Sequence, residues 1–133
     1  MTREQFVAVQ LKGVEQEIAA DLFEEWVERL QLPDNKRICP LAHNWPFDRD
    51  FLIAWLGRLR FNHLFDARYR DTMCCSLYAN DRADAHIEQV PYPKQTLGSL
   101  AVRLCVDNPM AHDAMNDSMV TAEAYRKMLS ELF

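Results

Sequence analysis

Glycine is scarce in this chain, with three in 133 residues beside six prolines, which leaves little room for linkers or disordered tails. Long apolar runs are missing too. Met1 is followed by the polar Thr2, Arg3, Glu4 and Gln5, and no sustained apolar stretch comes later, so neither a transmembrane span nor a signal peptide is expected. The four cysteines, Cys39, Cys74, Cys75 and Cys105, form no C-x-x-C pair, so spacing suggests neither a zinc site nor a disulfide framework. Reduced, mostly buried thiols are expected, in a cytoplasmic protein without a membrane partner. A surplus of positive charge is also lacking. The net charge of -5 argues against non-specific nucleic-acid binding through overall charge, although a local arginine cluster can still hold phosphates.

What is present is ordinary globular material, 49% hydrophobic and 26% charged, in a length that fits one domain spanning 1–133. Residues 6–11, Phe-Val-Ala-Val-Gln-Leu, form a β-rich run closed by Lys12-Gly13 and read as a strand. From 15 to 32, Ile18, Leu22, Trp26 and Leu30, with Ala19, Phe23 and Val27 beside them, repeat at helical spacing. The acids around them, Glu15, Glu17, Asp21, Glu24, Glu25 and Glu28, read as a solvated face. Residues 37–42 are short and apolar enough for a buried strand, with an irregularity expected at Pro40 because proline removes a ladder donor.

A second helix is expected from Asp48 to about Leu59, with Phe51, Leu52, Trp55, Leu56 and Leu59 on one side. Arg58, Arg60, Arg68 and Arg70 follow among Phe61, Phe65 and Tyr69, a mixture suited to phosphates and stacked bases. A short strand near Tyr69-Arg70 runs into a helix starting at Asp71 or Thr72 and continuing through Leu77. Residues 80–93 read as a loop. Helices are expected again from Thr96 to Val106, stopped by Asp107-Asn108-Pro109, and from about Ala111 to Leu132. The last has Ala111, Met115, Met119, Ala122, Tyr125, Leu129 and Leu132 at helical spacing on its buried side. The chain as a whole is therefore α/β.

Two places carry chemistry. Asp48 lies where the 37–42 strand gives way to a helix, so rigid elements hold it on both sides, as a metal ligand requires. Taken alone it reads as a first-turn acid meeting the helix dipole. His112 stands at the mouth of the last helix and Asp117 more than one turn inside it, so an imidazole and a carboxylate can approach a common cleft.

In combination these segments resemble the DEDD-type 3'-to-5' exonucleases of the ribonuclease H-like fold, in the subgroup with a histidine base. The resemblance rests on Ala42-His43-Asn44-Trp45-Pro46-Phe47-Asp48 with Phe51-Leu52, on Asp71-Thr72 after a strand, and on His112, Ala114 and Asp117 opening the C-terminal helix. It covers roughly residues 18–133. It implies a mixed sheet flanked by helices, and two-metal hydrolysis of phosphodiester bonds at a nucleic-acid 3' end. Carried over position by position, Asp48 and Asp117 are metal ligands for Mg²⁺ or Mn²⁺, His112 is the general base, and Asn44, Trp45 and Phe47 lie near the terminal nucleotide.

The family's first motif, an Asp-x-Glu on a central strand, has no counterpart. The 6–11 strand carries no acid, and Glu15-Gln16-Glu17 falls at a helix start. Relative to the family the fold is expected to be truncated at its N-terminus, with half of its ligands missing. Three readings follow: a portion completed by an upstream segment or a partner chain, an inactive relative kept for binding nucleic acid or protein, or an active enzyme using Glu15 or Glu17 as substitutes.

Overall fold

The computed structural model describes residues 13–132; the strand expected at 6–11 lies outside them. Helix α1 spans Gln16–Arg29, β1 Leu41–Ala42, α2 Trp45–Leu56, α3 Arg58–Leu64, β2 Arg70–Asp71, α4 Thr72–Ala85, α5 Leu97–Arg103 and α6 Ala114–Leu132. The described part is thus α/β, six helices with a small parallel sheet. Leu41 pairs with Arg70 and Ala42 with Asp71, and an isolated parallel bridge joins Ile38 to Phe65. No described helix is long and apolar enough to cross a membrane.

The strand expected over 37–42 is real in direction but interrupted. Ile38 donates its N–H to the Leu64 carbonyl at 2.9 Å and accepts from the Asp66 N–H at 2.8 Å, and the Pro40 carbonyl accepts from the Arg70 N–H at 2.8 Å. Pro40 can accept but not donate, so the ladder is regular only after it.

Two apolar clusters hold the helices to this strip. The first gathers Ala20 and Val27 of α1, Trp45 and Leu56 of α2, Phe61 and Leu64 of α3, and Phe65. Its centre is aromatic. The Trp45 ring lies 6.3 Å from Phe61 and 6.1 Å from Phe65, and Phe61 lies 4.9 Å from Phe65. Offset and tilted rings at these spacings add about 0.5–1.5 kcal/mol per pair beyond the area they bury. The second cluster joins Tyr92, Leu100 and Leu104 to Ala124 and Met128 of α6, with Cys75 and Ala79 of α4 packed against it. Because α6 also contacts β1, the short sheet lies where the two groups of helices meet.

Several expected faces and boundaries differ. In α1 the stripe Ile18, Leu22, Trp26 and Leu30 is about half exposed, while Ala20 and Val27 are buried. A step of four residues advances 40° around the helix beyond a full turn, so this stripe winds away from the core that Phe23 meets through Trp55 and Phe65. In α6 Met115 and Met119 face outward at 71% and 67% exposure, and Val120, Thr121, Ala124 and Met128 form the buried side. The loop expected over 80–93 is helical as far as Ala85. The thiols are free, but Cys39, Cys74 and Cys105 are exposed and Cys75 half-buried, against the expectation that most would be buried.

The helix expected from 48 to 59 is two helices. It begins earlier, with Pro46 in its first turn where the missing N–H costs nothing, and Gly57 separates α2 from α3 at φ 77°. An added Cβ at Gly57 meets nothing within 4 Å, so the backbone angle alone penalises a substitution. Gly57→Ala is expected to lower stability by about 1–2 kcal/mol in urea unfolding. An unchanged midpoint would show that the α2–α3 corner tolerates another backbone conformation.

Candidate metal and nucleic-acid site

Asp71 is 4% exposed and carries the densest set of hydrogen bonds in the region. As the N-cap of α4 its Oδ1 accepts from the backbone N–H of Met73 at 2.9 Å and of Cys74 at 3.4 Å. It also accepts from a second helix start. The Asn44 N–H reaches Oδ1 at 2.9 Å and the Trp45 N–H reaches Oδ2 at 2.8 Å. Helix α2 has no side-chain cap of its own: Asn44 stands before it at φ 69° and supplies none. The left-handed turn aims its N–H and the next one at Asp71, a conformation asparagine adopts more readily than most residues. One carboxylate therefore satisfies the starts of two helices and meets the positive ends of both dipoles.

His43 continues this seam. Its Nε2 lies 2.6 Å from the Gln95 carbonyl and its Nδ1 2.8 Å from the Thr72 hydroxyl. A carbonyl only accepts, so Nε2 donates to Gln95, while Nδ1 meets the Thr72 hydroxyl, which also reaches the Ala42 carbonyl at 3.4 Å. Gln95 is presented by a loop tied to α4, where the Asn80 side chain donates to the Tyr92 carbonyl at 2.6 Å and accepts from the Tyr92 N–H at 2.9 Å. Burial, with the Glu131 carboxylate beside it, pushes the Tyr92 hydroxyl up to about 12, so it stays protonated and donates to Glu131 at 3.2 Å.

Above this framework lies a cleft of about 500 Å³. Leu41, Ala42 and His43 form its strand side, Phe47 and Asp48 come from α2, and Ala114, Asp117, Ser118 and Thr121 from α6. The two carboxylates singled out in the sequence, Asp48 and Asp117, thus face one space from different helices. Asp117 is fixed by its own helix start: its N–H donates to the Asp113 carbonyl at 2.8 Å, and its Oδ1 accepts from the His112 N–H at 3.3 Å. Burial raises the pKa of Asp48, the nearby charge of Asp71 raises it further, and His43 and the backbone N–H of Asp48 oppose both.

The other expected site residues divide. Phe47 is 62% exposed on the cleft wall, with its ring 5.0 Å from that of Phe51, itself 65% exposed. Trp45 also lines the cleft but is only 5% exposed, its indole held in the aromatic core. Asn44 contributes its backbone N–H to Asp71 rather than its side chain to the cleft. His112 is exposed, has φ 71°, and is not among the residues lining the cleft. Glu15 and Glu17, at the start of α1, do not line it either. No group of three or more His, Cys, Asp or Glu side chains suited to a metal ion occurs among the described residues.

The arginine segment is largely committed to structure. Arg60 pairs with Asp21 at 2.9 Å and Glu24 at 3.1 Å across α1 and α3, Arg68 pairs with Asp66, and Phe61 and Phe65 are buried. The residues missed from sequence are those of the seam: Asp71 as a double cap, and His43, Thr72 and Gln95 as its continuation. Asp71 was visible as a helix start and, with Thr72, as part of the resemblance, but its bonds to Asn44 and Trp45 are tertiary.

Comparison of the chain with protein-family models, with curated proteins and with solved structures finds no match.

Two outcomes follow from this geometry. Asp71→Ala strands buried N–H groups at two helix starts and is expected to cost about 3–5 kcal/mol in denaturant unfolding, with Asp71→Asn costing less because one oxygen remains. A loss below about 1 kcal/mol for the alanine variant would contradict the double cap. For Asp48 the sign is opposite. Its pKa is raised on folding, so the folded state favours the protonated acid, an advantage present at low pH and lost as pH rises through the folded pKa. Asp48→Asn should therefore melt slightly higher than the parent at neutral pH without divalent cations, and the gap should close below about pH 4. A lower melting temperature at neutral pH would show that the charge is stabilising instead.

Proposed function

We propose that this chain is an exonuclease-like domain of the ribonuclease H-like fold, whose Asp48–Asp117 cleft takes Mg²⁺ or Mn²⁺ against the 3' end of a nucleic acid. The observation that carries the reading is the convergence of these two carboxylates, distant in sequence, on one cleft above a parallel strand pair. They are hard oxygen donors from rigid helices, which suits either cation. Phe47 adds an exposed ring at the same cleft, with the exposed Phe51 ring beside it, suited to stacking a terminal base. An acid whose ionised form is disfavoured by burial and by a like charge is a common feature of cation and catalytic sites.

The fit is to half a site. Two divalent cations, when bound, would activate a water and stabilise the leaving oxygen. Asp48 and Asp117 would supply ligands, and His112, the resemblance's general base, adjoins the cleft through its N–H on Asp117. Two carboxylates do not hold two cations, so the remaining ligands in this reading come from outside residues 13–132. The strip 38–42 offers a place for them. Ile38 and Pro40 bond toward the β2 side, so by the alternation of a parallel ladder Cys39 and Leu41 turn their backbone groups to the opposite edge. No strand partner for that edge occurs among the described residues, and a strand from a second chain laid there would border the cleft.

A second reading is an inactive relative that binds nucleic acid or protein through the same cleft. It is favoured by the absence of a third metal-binding side chain beside Asp48 and Asp117 among the described residues.

The test is trimming of a 3'-labelled single-stranded oligonucleotide by the pure chain with Mn²⁺. Slow trimming, abolished by Asp48→Ala, is the expected result. Robust trimming would contradict the half-site, and trimming that survives Asp48→Ala would remove the cleft from the chemistry.

A further inference from the structure

A basic surface lies away from the carboxylate cleft, at the other end of the 37–42 strip. A hollow of about 490 Å³ is lined by Asn35, Lys36, Arg37, His63, Asp66 and Ala67. A neighbouring hollow of about 410 Å³ shares Asp66 and Ala67 and adds Arg49, Arg58, Asn62 and Tyr69. Arg58, one of the arginines whose setting suits phosphates, borders the second hollow, and the function proposed above uses neither hollow.

The backbone that presents these groups is fixed. The turn before the strip is closed by the Lys36 N–H donating to the Pro33 carbonyl at 2.9 Å, with Asn35 at φ 60° inside it. The two bonds of Ile38, to the Leu64 carbonyl and from the Asp66 N–H, then hold the Lys36–Arg37 segment beside the one that carries His63 and Asp66, so that all four line the hollow. Tethering at both sides lowers the ordering cost of binding.

Charge in the hollow is unbalanced. Its one carboxylate, Asp66, is taken up by Arg68, whose guanidinium reaches its two oxygens at 3.1 Å and 2.9 Å and whose N–H adds a bond at 2.8 Å. Those bonds, with a smaller contribution from the charge of Arg37, hold the Asp66 carboxyl far below the usual range. Arg49 is likewise paired with Asp50. No ion pair to Lys36, Arg37 or Arg58 is found among the described residues. Uncompensated cations around a hollow, with imidazole and amide donors beside them, match a tetrahedral oxyanion, which accepts from several directions at once.

We propose that this hollow is a phosphate site in which Lys36 and Arg37 bind the anion and His63 donates to it from the end of α3. The phosphate can be free or part of a nucleic-acid backbone. Over the six residues from Arg37 to His43 an extended chain covers about 20 Å, so the site is spatially separate from the carboxylate cleft and does not depend on metal there.

The experiment titrates the ¹⁵N-labelled full chain, without divalent cations, with inorganic phosphate and separately with a single-stranded oligothymidylate lacking terminal phosphates. Amide shifts centred on Lys36, Arg37, His63 and Asp66 are expected with at least one of them. A response to phosphate identifies a small-anion site, and a response to the oligonucleotide alone identifies a backbone site. The double variant Lys36→Ala/Arg37→Ala should weaken binding at least about tenfold. In the oligonucleotide case it should also reduce the slope of log affinity against log salt by about 1.4. The charge-matched Arg82→Ala/Lys94→Ala, away from the hollow, should change neither. Absence of shifts with both ligands, or equal weakening by the two double variants, would overturn the proposal.

Discussion

The arrangement depends on one carboxylate accepting hydrogen bonds from four backbone N–H groups at two helix starts. Asp71 caps α4 locally, and through Asn44 and Trp45 it caps α2 as well. Each of those N–H groups would otherwise be an orphan donor in or near the interior, which costs more than an ordinary hydrogen bond contributes. The pairing of Ala42 with Asp71 brings the two helix starts to the same end of the sheet, and the double cap then sets the direction in which α2 leaves. Asp48, in the first turn of α2, takes its position over the cleft from that direction. Burial, and after it the charge of the same carboxylate, raise the pKa of Asp48.

Much of this was legible as local pattern. Strand followed by helix at 37–56, the start of α4 at Asp71, and the long final helix follow from apolar period, turn residues and caps, because those signals act within a few residues. Asp48 was legible for a related reason, since it stands in the first turn of the helix that follows β1; Asp117, read from the sequence as more than one turn inside the last helix, lies in its first turn because that helix begins at Ala114. The faces of α1 and α6 were not. In α1 two apolar stripes compete, Ile18-Leu22-Trp26 and Ala20-Phe23-Val27, and only the position of Trp55 and Phe65 decides which is buried. In α6 Met115 and Met119 have the right period but the wrong side. Trp45, an aromatic beside a candidate ligand, both lines the cleft and packs in the core, and only the second contact depends on Phe61 and Phe65.

The electrostatics separate two surfaces of a chain that is acidic overall. The cleft presents carboxylates and the exposed Phe47 ring, suited to a cation and a base, whereas the Asp66 corner presents cations whose local counter-charge is already used. Arginines that looked equivalent in sequence, Arg58, Arg60, Arg68 and Arg70, play different parts: two are locked in ion pairs, Arg70 turns back on the Tyr69 carbonyl, and Arg58 borders the basic hollow. Composition cannot make that distinction, since it depends on which partner folding brings within reach.

The central claim is that Asp48 and Asp117 share a divalent cation. The most direct measurement is paramagnetic broadening of amide resonances as Mn²⁺ is added to the ¹⁵N-labelled chain. The account predicts that the amides of Phe47, Asp48, Asp117 and Ser118 broaden first and together, and that Asp48→Asn removes the effect at Asp117 as well as at its own position. Broadening that begins on the acidic side of α1, at Asp21, Glu24 and Glu28, with the cleft amides unaffected, would contradict it.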